Sequence, residues 1–389
     1  MTEFLANSVD QASVICYVIA LLGCLYALFA IVAVRSFARS TIPATIEQFP
    51  PVTILKPLHG FEPDLYAHLA SFCMQNYPGP VQIVFGVTDP TDPAAAVVRK
   101  LIADFPDRDL VLVISPRRHG ANAKVSNLIN MQHEARHELL VISDSDIVVP
   151  GDYLKVVTAS LNQPGVGLAT CLYRGAAAAG TWSRLAVAAI DYHFLPNVLV
   201  GLKLGLATPC FGSTIAITKT TLAKVGGLQS VADQLADDYG LGMAVRRAGL
   251  KVTIPNFVVT HTCAERSARA LLLHEIRWAR TIRSVDPLGF AGLAVTHAFP
   301  FALLGLILGG FTPAAVLVPA ALACRYALQG ELRRSFQVGD EFFWLGPIRD
   351  LLSFVVFIAS FFGRGVEWRG RRYGVRADNT LARYGEAES

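Results

Sequence analysis

Residues 11–34 carry no charge, a stretch long enough for a helix to cross a bilayer core of roughly 30 Å. In lipid, backbone N–H and C=O groups must be satisfied within the segment, so such a stretch folds as a helix. A second charge-free stretch covers residues 287–324, with His297 its only titratable residue. Its length suits two spans, with Gly309-Gly310-Phe311-Thr312-Pro313 as the hairpin turn. A cleaved signal fits residues 11–34 poorly, because Glu3 and Asp10 stand where basic residues belong and no small-residue cleavage site follows. Residues 351–363 form a third apolar piece between Asp350 and Arg364, short for a span and better read as interfacial or re-entrant. Only 16% of the chain is charged, against about 25% in an average soluble domain, and these segments account for the deficit.

Basic residues set the expected orientation. Arg35 and Arg39 follow the first span, while the short N-terminus has none. Basic residues stay on the cytoplasmic side, so the middle of the chain is expected inside. The tail is basic too (Arg364, Arg369, Arg371, Arg372, Arg376, Arg383), and the hairpin returns it to the same side. The expected organisation is an anchor at 11–34, one domain at 40–286, a hairpin at 287–324, a loop with an interfacial segment at 325–363 and a basic tail at 364–389. The seven cysteines include no CxxC pair, which is neither a disulfide framework nor a zinc pattern. A net charge of +4 is too small to imply nucleic acid. A basic tail beside anionic lipid is the milder inference.

Between the apolar ends, short β-branched runs alternate with helical stretches. Val52-Thr53-Ile54-Leu55, Val81-Gln82-Ile83-Val84-Phe85, Leu110-Val111-Leu112-Val113-Ile114 and Leu139-Leu140-Val141-Ile142 read as buried strands. Residues 94–105 and 124–136 read as helices. Alternation of this kind gives a mostly parallel α/β sheet with right-handed crossovers, and ligands bind beyond the C-terminal strand ends.

Acidic residues fall at those ends. Asp144-Ser145-Asp146, just past a strand, offers two carboxylates to one hard cation such as Mg²⁺ or Mn²⁺, which also bridges phosphates; the alternative is an ordinary Asp/Ser turn. Asp89 and Asp92 lie one strand earlier. A carboxylate there can accept from a base N–H or ribose hydroxyls, and Asp92-Pro93 also suits a helix N-cap. Asp237-Asp238 opens an amphipathic helix, where the helix dipole alone favours acid and where a carboxylate could also deprotonate an acceptor hydroxyl. Lys124 opens another helix against the dipole, a cost that a bound phosphate relieves; surface exposure is the plainer reading. Arg277-Trp278, on a helix over residues 268–283, could neutralise a diphosphate and line an acceptor pocket. An interfacial helix with arginines at the headgroups explains them equally. Residues 181–204, apolar and interrupted by Pro196, suit a core helix or a surface admitting a lipid. His193 and His261 read as structural histidines.

Taken in order, Asp89-Pro90-Thr91-Asp92-Pro93-Ala94, Lys124 with Asn127, Asp144-Ser145-Asp146, Leu235-Ala236-Asp237-Asp238-Tyr239 and Arg277-Trp278 resemble the ceramide glucosyltransferases. These are membrane-associated inverting glycosyltransferases related to cellulose, chitin and hyaluronan synthases. The bacterial hopanoid-biosynthesis-associated members are the most similar in look. The resemblance covers residues 52–283 with like flanking anchors. It implies a GT-A fold, a UDP-sugar donor, a Mg²⁺ or Mn²⁺ ion, a membrane lipid acceptor (a ceramide or hopanoid polyol) and a multi-pass protein of the bacterial inner membrane. It also implies that Asp92, with Asp89 nearby, binds uridine, that Asp144 and Asp146 hold the metal diphosphate, that Asp238 is the base with Asp237 beside it, and that Lys124, Arg277 and Trp278 bind substrate. In the family the last motif begins with Gln or Arg, whereas His274 stands there in this chain. The competing functions are a processive polysaccharide synthase, which needs a polymer channel, a non-catalytic lipid-binding protein on the same fold, and a transporter subunit, which would carry charges inside its spans.

Overall fold

The computed structural model describes residues 2–41, 48–309, 311–339, 343–363, 365–368, 371–375 and 380–383. Gly310 of the expected hairpin turn and Arg364, Arg369 and Arg376 of the basic tail lie outside them. Two compact units emerge, each assembled from separated stretches of chain. One contains residues 40–178, 208–264 and 371–389, the other residues 1–39, 179–207 and 265–370. Of the stretch 40–286, residues 179–207 and 265–286 thus lie in the second unit.

The first unit is built on a seven-stranded sheet. Its strands are β1 (Val52–Pro57), β2 (Val81–Val87), β3 (Asp109–Ile114), β4 (Leu139–Ile142), β6 (Val166–Ala169), β8 (Ile215–Thr218) and β9 (Lys251–Thr253). In space they run β3-β2-β1-β4-β8-β6-β9, with β8 antiparallel to both neighbours and the other pairs parallel. A smaller sheet orders β5 (Ile147–Val148), β10 (Val258–Cys263) and β7 (Leu172–Ala177) as β5-β10-β7. β1 and β4 are buried throughout, as strands of a covered parallel sheet should be. The helices Ala123–Gln132 and Asp237–Arg247 contribute Val125, Leu128, Ile129, Leu241 and Val245 to a core with Leu55, Val84, Leu140 and Ile217. Gly86 allows the first of these helices close to β2, since a Cβ there would collide with Met131 and Asn127.

In the second unit, the long helix Thr2–Ala38 packs against Ala298–Gly309, Phe311–Phe336 and Leu195–Lys203. Gly23 sits where a Cβ would come within 2.6 Å of Ala298 Cβ, so the two backbones approach closely, as small residues permit in membrane helices. Residues Asp10–Ala38 and Gly180–Lys203 are each long and apolar enough to cross a membrane. Pro287–Thr296 and Ala298–Gly309 pass that test only as a pair, bent by 68°. The helix Gly346–Ser360 has 15 residues, about 22 Å of rise, shorter than a bilayer core.

Pro196 does not break the Gly180–Lys203 helix; it is accommodated. A π-turn at Ile190–Phe194 precedes it, and Pro196 falls in the first turn of Leu195–Lys203. Proline cannot donate to the carbonyl four residues back, that of Tyr192. Arg325 Nη1 donates to the Tyr192 carbonyl instead, at 2.7 Å. Further along, Arg349 grips Glu275 with both terminal nitrogens at 2.7 Å, and Arg349 is only 2% exposed. This fork fixes the helix Ala268–Val285 to Gly346–Ser360. Removing one partner of a buried pair strands the other charge at roughly 3–5 kcal/mol. Arg349→Met is therefore expected to lower the melting temperature of the purified chain by several degrees, measured by tryptophan fluorescence; an unchanged melting curve would contradict the pairing.

Candidate active site

The register of the strands decides which side chains meet. β4 ends at Ile142, and Asp144-Ser145-Asp146 turns the chain into β5. β5 pairs antiparallel with β10, placing His261 opposite Ile147. His261 Nε2 consequently lies 3.2 Å from Asp146 Oδ2. Burial opposes a charge on His261, but the Asp146 carboxylate outweighs it and holds the imidazole well above its ordinary pKa. Reading His261 as purely structural therefore overlooks a direct ion pair with the acidic turn.

Lys124 gathers the acidic residues. Asn122 caps the helix Ala123–Gln132 by accepting from the Lys124 and Val125 amides, at 2.9 and 3.1 Å. The cap aims Lys124 inward, 9% exposed, not at the surface. Its ammonium sits 2.7 Å from Asp144 Oδ1 and 3.3 Å from Asp237 Oδ2. Burial alone would depress this ammonium, but the combined charges of Asp144, Asp237 and Asp238 hold it above its usual range. Asn122 also donates to the Gln234 carbonyl at 2.9 Å and to Asp237 Oδ1 at 3.3 Å, tying the start of the helix Asp237–Arg247 to the same point.

Asp238 is held by backbone. Gly212 N–H donates to its Oδ2 at 2.8 Å and Tyr239 N–H to its Oδ1 at 2.7 Å. Burial, helped by the adjacent Asp237, raises its carboxyl to about 6 although Lys124 pulls the other way. A carboxylate tuned upward toward neutral pH is suited to general-base work.

The donor set fits a divalent ion. Asp144 and Asp146 supply hard oxygens, and such ions fill their remaining positions with water and phosphate. Gly212 leaves open the space where a Cβ would collide with Asp144 Oδ2 and press on Lys124 Nζ. Among the described residues, no group of three or more His, Cys, Asp or Glu side chains is placed to hold a metal ion.

The other predicted residues are placed differently. Asp92 caps Pro93–Asp104 through the Ala94 amide at 2.9 Å, and also accepts from the Gly60 amide at 3.0 and 2.9 Å. Asp89, at the same strand end, accepts from the amide and hydroxyl of Thr91, which lower its pKa. Arg277 and Trp278 belong to the second unit, on the helix Ala268–Val285. Trp278 meets His274 edge-on at 4.6 Å, and His274 Nδ1 lies 2.5 Å from Glu265 Oε1.

Lys56 was not singled out from sequence. This fully buried β1 lysine donates to the Asp144 carbonyl and, at 3.3 Å, to Ser143 Oγ, with Phe72 under its ammonium at 3.9 Å. Burial lowers its pKa to about 7. The available signal was a lysine inside a strand buried on both faces.

Residues 15–381 match glycosyl transferase family 21, and the chain belongs to that family. Ceramide glucosyltransferase 3 of Caenorhabditis elegans is 24% identical over 95% of this chain and 82% of its own length. Ceramide glucosyltransferase 1 of the same organism is 27% identical over 58% of this chain and 47% of its own length. The Candida albicans ceramide glucosyltransferase is 35% identical over 28% and 22%; the chain thus spans less than half the length of these last two relatives. Among solved structures, the mannosyltransferase PcManGT from Pyrobaculum calidifontis, in complex with GDP-Man and Mn²⁺, superposes with a TM-score of 0.58 at 21% identity, covering 90% of this chain and 99% of that one. The fold is GT-A with added apolar helices, as the resemblance implied.

The Asn122 cap is the most testable support of this arrangement. Asn122→Ala removes a helix cap, at a cost of about 1 kcal/mol, and frees Asp237. The expected result is a lower melting temperature, followed by tryptophan fluorescence; an unchanged melting curve would show that the helix needs no such cap.

Proposed function

We propose that this protein is a membrane-bound inverting glycosyltransferase that moves a hexose or N-acetylhexosamine from a UDP-sugar to a hydroxyl of a membrane lipid. The supporting observation is the cluster in which Lys124 contacts Asp144 and Asp237 while Asp238, two hydrogen bonds deep in backbone, has a carboxyl raised to about 6. A ceramide acceptor is supported by the names of the relatives; a hopanoid polyol presents the same chemistry, a hydroxyl on an apolar body. The two helices long and apolar enough to cross a membrane suit such an acceptor, and Arg35 in the last turn of the first of them supports a cytoplasmic sheet unit.

In this reading Asp238 takes the proton of the acceptor hydroxyl as that oxygen attacks the anomeric carbon. Lys124 offers positive charge to the phosphates and restrains Asp144 and Asp237 before the donor arrives. Asp144 and Asp146 would hold Mg²⁺ or Mn²⁺, which supplies Lewis-acid neutralisation of the departing diphosphate. Asp89 and Asp92 serve the uridine end, and Arg277 and Trp278 the diphosphate and acceptor. Fixed charge and positioning provide most of the acceleration.

Asp238→Asn should retain UDP binding and lose at least about a hundredfold in transfer; wild-type turnover in that variant would remove Asp238 as base. The wild-type rate at low acceptor should fall tenfold per unit as pH drops below about 6, because protonated Asp238 cannot accept. Lys124 favours the ionised base, so Lys124→Met should move that limb to higher pH. Chelation should abolish transfer and added Mn²⁺ or Mg²⁺ restore it, followed as release of UDP with a lipid extract; full activity in excess chelator would exclude the ion.

A further inference from the structure

The helix that carries Asp237 and Asp238 begins without a cap of its own. Its N-cap position is Ala236, whose side chain accepts no hydrogen bond; a Ser, Thr, Asp or Asn there would satisfy a first-turn amide, a device worth about 1 kcal/mol. The first turn is held instead through the loop that leads into it, Ala232-Asp233-Gln234. Two distant parts of the chain grip that loop, all within the sheet unit.

On one side stands the segment that opens the Lys124 helix. Ala121 N–H donates to Asp233 Oδ1 and Asn122 N–H to the Ala232 carbonyl, both at 2.8 Å, beside the Asn122 side-chain bond to the Gln234 carbonyl. Gly120 permits the approach, since a Cβ there would come within 2.5 Å of the Ala232 carbonyl oxygen. On the other side lies Thr380-Leu381, from the far end of the sequence. Leu381 N–H donates to the Asp233 carbonyl at 2.8 Å, and Thr380 pairs antiparallel with Gln234. Leu381 is buried, and its strand Leu381–Arg383 pairs antiparallel with Arg371–Val375. Gln234 carries the grip into the helix. Its Oε1 covers Gly240, where a Cβ would collide with it, and Gly240 N–H closes the first turn on the Ala236 carbonyl at 2.9 Å.

We propose that Thr380-Leu381 is a strap that positions Asp237 and Asp238 by fastening the loop ahead of their helix. That Asp238 is the base of a sugar transfer rests on the reading under Proposed function. The strap acts through main chain, so the variant to make is Leu381→Pro, which removes the N–H donated to Asp233. The full chain is compared with wild type in nanodiscs by hydrogen exchange and by steady-state transfer, with ceramide and UDP-glucose as the probes. Exchange over residues 232–241 should quicken about tenfold while β1 and β4 keep their protection. The kcat should fall about tenfold, with the KM for UDP-glucose within about twofold, because the strap touches neither Asp144 nor Lys124.

A cross-link separates positioning from loss of fold. Residues directly opposite on antiparallel chains have Cβ atoms about 4.5–5.5 Å apart, so Gln234→Cys with Thr380→Cys needs only a small shift to form a disulfide. Placed in the Leu381→Pro chain and oxidised, the pair should restore both protection at residues 232–241 and kcat relative to the reduced form. Unchanged exchange at 232–241 in Leu381→Pro, faster exchange with unchanged kcat, equal loss of protection in β1 and β4, or a cross-link that fails to form or restores neither readout would overturn the strap. Should the wild type transfer no sugar while the exchange and cross-link results hold, the strap stands and the transfer reading falls.

Discussion

The sheet unit is organised around one buried ammonium. Lys124 stands between Asp144, which follows β4, and Asp237, which opens a later helix. Without a cation there, Asp144, Asp237 and Asp238 would repel one another in a poorly solvated space. With it, carboxylates from two distant parts of the sequence can be fixed in advance. The surrounding devices serve that placement: the Asn122 cap turns Lys124 inward, and the Asn122 amide holds Asp237. The interaction is thus a matter of specification more than of stability, since buried ion pairs gain little net free energy over an apolar alternative.

Much of the sheet unit was legible in the chain. The four early strands and the helices after β2 and β3 follow from β-branched runs and periodicity, and the observed bounds differ from the expected ones by no more than a few residues. The later strands were not read. β5 and β9 have two and three residues, too short for a period to show. The antiparallel insertion of β8 depends on tertiary pairing, which no local pattern encodes.

The site was legible in a different way. The order of the acidic motifs resembles a known family, but local chemistry alone left each residue with an ordinary explanation, and for Asp92 the ordinary one also holds, since it does cap a helix. Lys124 read as an exposed helix start because sequence does not reveal that the Asn122 cap turns it toward three carboxylates. His261 read as structural and Lys56 carried no signal because each acquires meaning only through pairing: β10 beside β5 for one, β1 beside β4 for the other. In the apolar unit, Pro196 read as an interruption, whereas an arginine from another helix fills the hydrogen-bonding gap that proline leaves.

Gly212 touches both sides of the acidic cluster through its main chain. Its N–H reaches the Asp238 carboxylate, and its carbonyl accepts from the Asp144 amide at 3.1 Å. A single residue without a side chain therefore acts as a yoke between the Asp144 turn and the Asp238 carboxylate. Any rocking of that short segment must displace the two together, so the acidic turn and the first turn of the later helix share one mechanical degree of freedom.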